Sequence, residues 1–283
     1  YGAVSADSPD KTGFYVANGW LYLSAAAITA GFLVWNWLKV PTLPADVPVE
    51  SRGFALGDAL KEYFSQEGVG KICAVVLLYR FGEGFLGGMM GQASMGPFYL
   101  DPLSEGGMGV PVASGPVMMG ISGMPMIISG GVLGGFIIRW YGLRRTFVPM
   151  ALAMSLPNIG SVLLAIFQPQ AHFLLFGEKV FSWLLLAAVV ENFTYGMSFS
   201  AISYYVTVMA SQSGRNKTSI LAISSALQYI GFFIPMMMSG AVQARIGYVG
   251  VFALAVVAGL PAVFVIPRLP LPRSEQPTIR TGD

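Results

Sequence analysis

The chain has 283 residues, of which 54% are hydrophobic and only 11% charged, and its mean hydropathy is +0.65. Soluble domains carry about 25% charged residues, so this composition excludes an ordinary water-soluble domain and points to a bilayer as the main solvent. A net charge of +2 is too small to imply nucleic acid, and a single cysteine (Cys73) and a single histidine (His172) exclude a disulfide framework, a cysteine-based zinc site and a multi-histidine metal centre.

The chain opens on Tyr1 with neither an initiator methionine nor a basic signal-peptide region, which reads as a fragment of a longer protein. A span needs roughly 20 mostly apolar residues to cross the hydrocarbon core. After a polar segment at 1–17, seven stretches qualify: 18–39, 69–93, 111–138, 147–167, 177–209, 218–241 and 249–266. The 35 glycines and 18 prolines fit such an all-α integral membrane fold, because membrane helices tolerate both.

Residues 40–68, between the first two spans, form the largest polar segment. It opens with the stiff run PTLPADVP. Leu56, Leu60, Tyr63 and Phe64 then recur at helical spacing, with Asp58, Lys61 and Glu62 on the other side, which predicts a short interfacial helix. So long a linker after one span and before six reads as a junction between two bundles.

The second span contains LLYRFGEGFLGGMMGQ. Arg80, Glu83, Gly84, Gly87, Gly88 and Gly91 share one helix face, so the charges and the small residues that permit close helix approach lie together. Arg80 and Glu83 either neutralise one another along the helix or serve transport. In the third span Gly130 with Gly134 and Gly131 with Gly135 offer a second close-packing face. A tight basic turn follows, with Arg139, Gly142, Arg144 and Arg145.

The fifth span places Ala187, Ala188, Glu191, Thr194, Tyr195 and Ser198 on one face. Glu191 has no nearby sequence partner and must find one across helices, bind water or be protonated. The sixth span repeats the stripe with Ser224, Gln228, Gly231 and Pro235. The last span, 249–266, carries no polar side chain and is expected to face lipid, and the proline-rich segment 267–283 is expected to be a disordered tail. Arg80, Glu83 and Glu191 are the charges set deep within apolar stretches. A charge near a bilayer midplane costs a few kcal/mol even on insertion scales, so these three are the candidate functional residues.

Basic residues orient the spans. Lys39, Arg52, Lys61, Lys71, Arg139, Arg144, Arg145, Arg215, Lys217, Arg268, Arg273 and Arg280 fall on one side, against Lys11, Lys179 and Arg245 on the other. The positive-inside rule therefore places the C-terminus in the cytoplasm and residues 1–17 outside.

The turn from Gly135 through Arg139 and Gly142 to Arg144 and Arg145 resembles the glycine–acid–arginine loop of the major facilitator superfamily. The acid of that loop is replaced here by Arg139, a departure that bears on the usual gating ion pair. LYRFGEGF (78–85), GGVLGGFIIRWYGLRR (130–145), VVENFTYGMS (189–198) and ILAISSALQYIGFFIPMMMSG (220–240) resemble the AmpG-like muropeptide permeases of that superfamily, over roughly residues 18–266.

The resemblance implies a twelve-helix fold of two six-helix bundles. This chain then holds the last helix of the N-terminal bundle (18–39), the inter-bundle linker (40–68) and the six-helix C-terminal bundle (69–266), without the rest of the N-terminal bundle. It implies proton-driven import of cell-wall glycopeptides across the bacterial inner membrane, with no cofactor and no metal. Arg80, Glu83 and Glu191 are then proton-coupling or substrate groups. Asn192, Tyr195 and Gln228 are candidate contacts to sugar hydroxyls or acetamido groups. The alternatives are a permease for another sugar, peptide or nucleotide derivative, a non-transporting membrane sensor, and a membrane enzyme using the two acids, for which no nucleophile or phosphate-loop motif speaks.

Overall fold

The structure, a computed structural model, describes residues 12–39, 56–89, 97–212 and 217–270. Residues 1–11 of the expected segment 1–17, the linker residues 40–55, the end of the second span with Gly91, the turn carrying Arg215 and the tail from 271 lie outside the described residues. Residues 1–55 and 56–283 form two separate units.

In the first unit, α1 (Thr12–Lys39) is a single helix of 28 residues that begins before the expected span. At 1.5 Å per residue it is about 42 Å long, enough to cross a core of about 30 Å. Its Asn36 side chain donates to the Phe32 carbonyl one turn back (2.9 Å), which satisfies that amide within the helix.

The second unit opens with the expected interfacial helix, α2 (Leu56–Phe64). Ala59 and Tyr63 are buried, whereas Leu60 and Phe64 stay exposed, so the inner face is narrower than the hydrophobic spacing predicts. The second expected span is two helices, α3 (Val69–Leu78) and α4 (Phe81–Met89), interrupted at Tyr79 and Arg80. A short helix, α5 (Pro97–Leu100), precedes α6 (Ser114–Ser122) and α7 (Met124–Tyr141), which are broken at Gly123. Next come α8 (Leu143–Ser155) and α9 (Asn158–Phe167), α10 (Ser182–Gln212) and α11 (Lys217–Val265).

Among the described residues, four stretches are long and apolar enough to cross a membrane: Ser114–Tyr141, Leu143–Phe167, Ser182–Ser211 and Lys217–Arg268. The last has 52 residues, about 78 Å as helix and over twice one crossing. Its backbone leaves the helix at Gly247 (φ 69°, ψ 178°), a conformation open to glycine and strained for other residues. That break divides α11 into limbs at 217–246 and 248–265, matching the sixth and seventh expected spans.

Between α9 and α10 the chain forms an antiparallel hairpin, β1 (His172–Leu175) with β2 (Glu178–Phe181). It is the departure from the all-helical expectation among the described residues, and it moves the start of the fifth span from 177 to Ser182. Phe176 and Gly177 both have positive φ (53° and 82°), the geometry of a two-residue hairpin turn. Val180 and Phe181 are buried and anchor the hairpin to the helices, while Phe176 at its tip is exposed.

Two apolar cores divide the second unit. One gathers Tyr63, Val75, Tyr79, Phe147, Met154, Ile202, Tyr205 and Ile220. The other gathers Phe85, Phe98, Met118, Leu164, Leu184, Tyr248, Phe252 and Ala255. Along the helices the crossover falls between Tyr79 and Phe85, between Met154 and Leu164, and between Leu184 and Ala201. Arg80, Glu83, Asn158, Glu191 and Asn192 occupy those intervals. These polar groups, Glu191 only partly buried among them, thus form a layer between two apolar cores.

Helix contacts around this layer depend on missing side chains. A Cβ on Gly130 would collide with the Phe193 carbonyl oxygen, and one on Gly134 would lie 2.6 Å from that of Met197, so α7 and α10 meet backbone to backbone. Gly131 has only ordinary contacts, and Gly135 meets nothing within 4 Å. Of the two glycine pairs in the third span, only Gly130 with Gly134 is a packing pair.

Candidate functional site

Arg80 lies at the break between α3 and α4, pointed across the unit at α10 and α11. Its Nη2 donates to the Tyr195 hydroxyl at 2.7 Å. The guanidinium carbon lies 4.5 Å from the ring centroid of Phe232, 5.5 Å from Tyr195, 5.6 Å from Phe199 and 6.0 Å from Tyr229. Four rings around one buried cation offset part of its desolvation, each by about 0.5–2 kcal/mol. Arg80 Nε has no hydrogen-bond partner among the described residues.

The arginine forms one end of a cavity of about 250 Å³ between α10 and α11, lined also by Phe199, Ser203, Thr207, Ser225, Gln228 and Tyr229. A polar wall with aromatic faces and a fixed guanidinium suits a small solute that carries a carboxylate, because a planar guanidinium can donate to both carboxylate oxygens.

Glu83 turns elsewhere. Only 4% exposed, its Oε1 accepts from Asn158 Nδ2 on α9 at 3.5 Å. Arg80 and Glu83 therefore make their side-chain contacts with different helices, although each still feels the other's charge. Glu191, on α10, is partly open and is an electrostatic neighbour of Glu83 and of the Tyr99 hydroxyl. The structure thus gathers the three expected charges into one layer.

Of the three expected polar contacts, Tyr195 holds Arg80 and Gln228 lines the cavity. Asn192 is buried, and its amide nitrogen is spent on the Ala188 carbonyl of its own helix (2.9 Å). The other stripe residues mostly serve packing. Ser198 Oγ donates to the Met150 carbonyl (2.6 Å), and the Ser198 carbonyl accepts from Tyr79 Oη (2.9 Å). Gly231 backs onto the Leu77 carbonyl and Pro235 onto Gly84. In the basic turn, Gly142 bends the chain at φ 76° between α7 and α8, with Gly135, Arg139, Arg144 and Arg145 exposed around it.

Sequence reading missed the aromatic box of Phe199, Tyr229 and Phe232, and the buried polar row Ser155, Asn158 and Ser161 of the fourth span. The row was visible as SLPNIGS, polar residues three apart, whereas the box joins residues of two helices by contact alone. Among the described residues no three His, Cys, Asp or Glu side chains come together.

No protein-family profile matches the chain, and no curated protein is significantly similar to it. Among solved structures it is similar to the peptide transporter POT, determined as a point mutant in complex with alafosfalin. The TM-score is 0.54 and the identity 14%, over 76% of this chain and 41% of that one. At this identity the likeness is one of fold. With its long apolar helices the chain is an all-α integral membrane protein, and it spans 41% of the length of the solved transporter.

Proposed function

We propose that the chain is part of a secondary active transporter that imports cell-wall muropeptides, glycopeptides built on anhydromuramyl sugars, across the bacterial inner membrane in symport with protons. The observation that carries this reading is Arg80, fixed by Tyr195 and four aromatic rings at the end of a polar cavity within an apolar bundle. Arg80 would take a carboxylate of the peptide part. Gln228 and the cavity hydroxyls would meet sugar and amide groups, and the aromatic faces would lie against the pyranose rings.

Glu191, partly open and an electrostatic neighbour of Glu83, would exchange a proton as the bundles alternate. The basic turn around Gly142 would act at the cytoplasmic gate, and the C-terminus would lie in the cytoplasm. The rest of the site would come from a second helix bundle.

The neighbouring fold belongs to a peptide transporter, and a guanidinium in an aromatic box suits a plain peptide equally, so a peptide permease is the second reading. Uptake of radiolabelled anhydromuropeptide and of a tripeptide into vesicles carrying the full-length protein, with and without an imposed proton gradient, separates the two. Gradient-driven accumulation of the muropeptide alone is the expected result; accumulation of neither solute would refute transport of this class.

A further inference from the structure

The α9 helix carries a polar row that the transport reading does not use. Asn158 and Ser161 are each 1% exposed, in a helix whose neighbours are otherwise apolar. Asn158 Oδ1 and Ser161 Oγ have no hydrogen-bond partner among the described residues. A buried polar atom left so costs about 1–3 kcal/mol, so two on one helix face call for a ligand.

The Asn158 amide shows where that ligand would sit. Its Nδ2 donates to Glu83 Oε1 at 3.5 Å, so the Asn158 amide lies against the carboxylate. Ser161 is three residues further on, hence on the same face of α9. Carboxylate, amide carbonyl and hydroxyl are hard oxygen donors, the set that suits alkali and alkaline-earth cations.

Charge gives the valence. The embedded layer holds one positive group, Arg80, and two negative ones, Glu83 and Glu191. It is therefore one positive charge short of neutrality, and Tyr99, facing Glu191, supplies none. An unbalanced charge in a low-dielectric layer is costly. A divalent ion would overshoot. A proton on Glu191 removes the deficit in one state of the proposed cycle, and a monovalent cation at Glu83 removes it when Glu191 is ionised.

We propose that Glu83, Asn158 and Ser161 form a binding site for a sodium ion inside the helix bundle, apart from the Arg80 cavity. The site draws its ligands from α4 and α9, so occupancy ties together the two helices that flank the polar layer.

The test is equilibrium binding and needs no transport. Full-length protein is purified in choline chloride, and NaCl replaces the choline at constant ionic strength while the melting temperature is followed by tryptophan fluorescence. A saturable rise with Na⁺, absent with further choline, is expected. Asn158→Ala and Ser161→Ala should each raise the half-saturating Na⁺ concentration about tenfold, which is about 1.4 kcal/mol. Ser122→Ala removes another buried membrane serine, one bonded to its own helix at the Met118 carbonyl, and should leave that midpoint in place. If Asn158→Ala does not fold, Ser161→Ala still decides. Identical curves in Na⁺ and choline, or an unchanged midpoint in Ser161→Ala, would overturn the site. A protein that shows the Na⁺ shift but accumulates no muropeptide would refute the transport reading alone.

Discussion

Arg80 and Tyr195 are joined across the bundle by a 2.7 Å hydrogen bond, from the break between α3 and α4 to the middle of α10. The bond fixes a guanidinium that would otherwise be free to turn towards Glu83, one helix turn away in its own segment. Because the Tyr195 ring also lies beside the guanidinium, its hydroxyl and its π-face act separately.

Tyr195→Phe keeps the ring and removes the hydroxyl. It should cost about 1–3 kcal/mol of stability and raise KM for a carboxylate-bearing solute more than it lowers kcat. Arg80→Lys keeps the charge but loses the planar fork, and should reduce uptake more severely. Transport assays of both variants decide the point; wild-type uptake by Arg80→Lys would remove Arg80 from the solute site.

The two embedded acids should separate. Glu191→Gln keeps the shape of the side chain and mimics its protonated form. It should abolish proton-driven accumulation and leave solute exchange measurable. Glu83→Gln removes the negative charge nearest Arg80 and should lower the amount of folded protein in the membrane, with Arg80→Gln in the same chain restoring it. Accumulation at wild-type rates by full-length protein carrying both Glu83→Gln and Glu191→Gln would refute a coupling role for either acid.

Gly130→Leu forces a side chain into the Phe193 carbonyl and should separate α7 from α10, costing at least about 1–3 kcal/mol. Gly135→Leu, one turn away and facing open space, should change stability by no more than about 0.5 kcal/mol. Thermal melts in detergent compare the two, and equal losses would show that the close approach is not what holds these helices.

Tyr63 anchors α2. It is fully buried, and Ser224 Oγ on α11 donates to its hydroxyl at 3.4 Å. Tyr63→Ala should cost about 3–5 kcal/mol, as other large aromatic truncations do, and expose 56–64 to protease. Burial pushes the Tyr63 hydroxyl above its ordinary value. The folded state thus favours the protonated form, so this contribution is complete below about pH 10 and is lost only above it. Protection of α2 should accordingly be flat from pH 6 to 9 on the usual tyrosine scale of about 10, and a midpoint inside that range would contradict the assignment.

Orientation can be read in a Cys73→Ser background. Single cysteines at Glu105 and Lys179, both exposed, should label from outside, and one at Arg144 only after permeabilisation. Labelling of Lys179 and Arg144 from the same side would break the alternation of spans.

The sequence by itself determined the solvent, the apolar stretches and the charges worth following. Hydropathy and charge are properties of each residue, and the cost of a charge in hydrocarbon does not depend on its neighbours. That is why Arg80, Glu83 and Glu191 were legible, as were α2 and the basic turn; the breaks at Gly123 and Gly247 were not. Tertiary structure alone decided partners. Lipid tails are as apolar as leucine, so hydropathy does not record how a membrane helix is rotated about its axis. A rotation of about 100° per residue separates Gly130, which meets the backbone of α10, from Gly131, which has room. The same rotation sent Arg80 to Tyr195 and Glu83 to Asn158, and turned Asn192 back on its own helix.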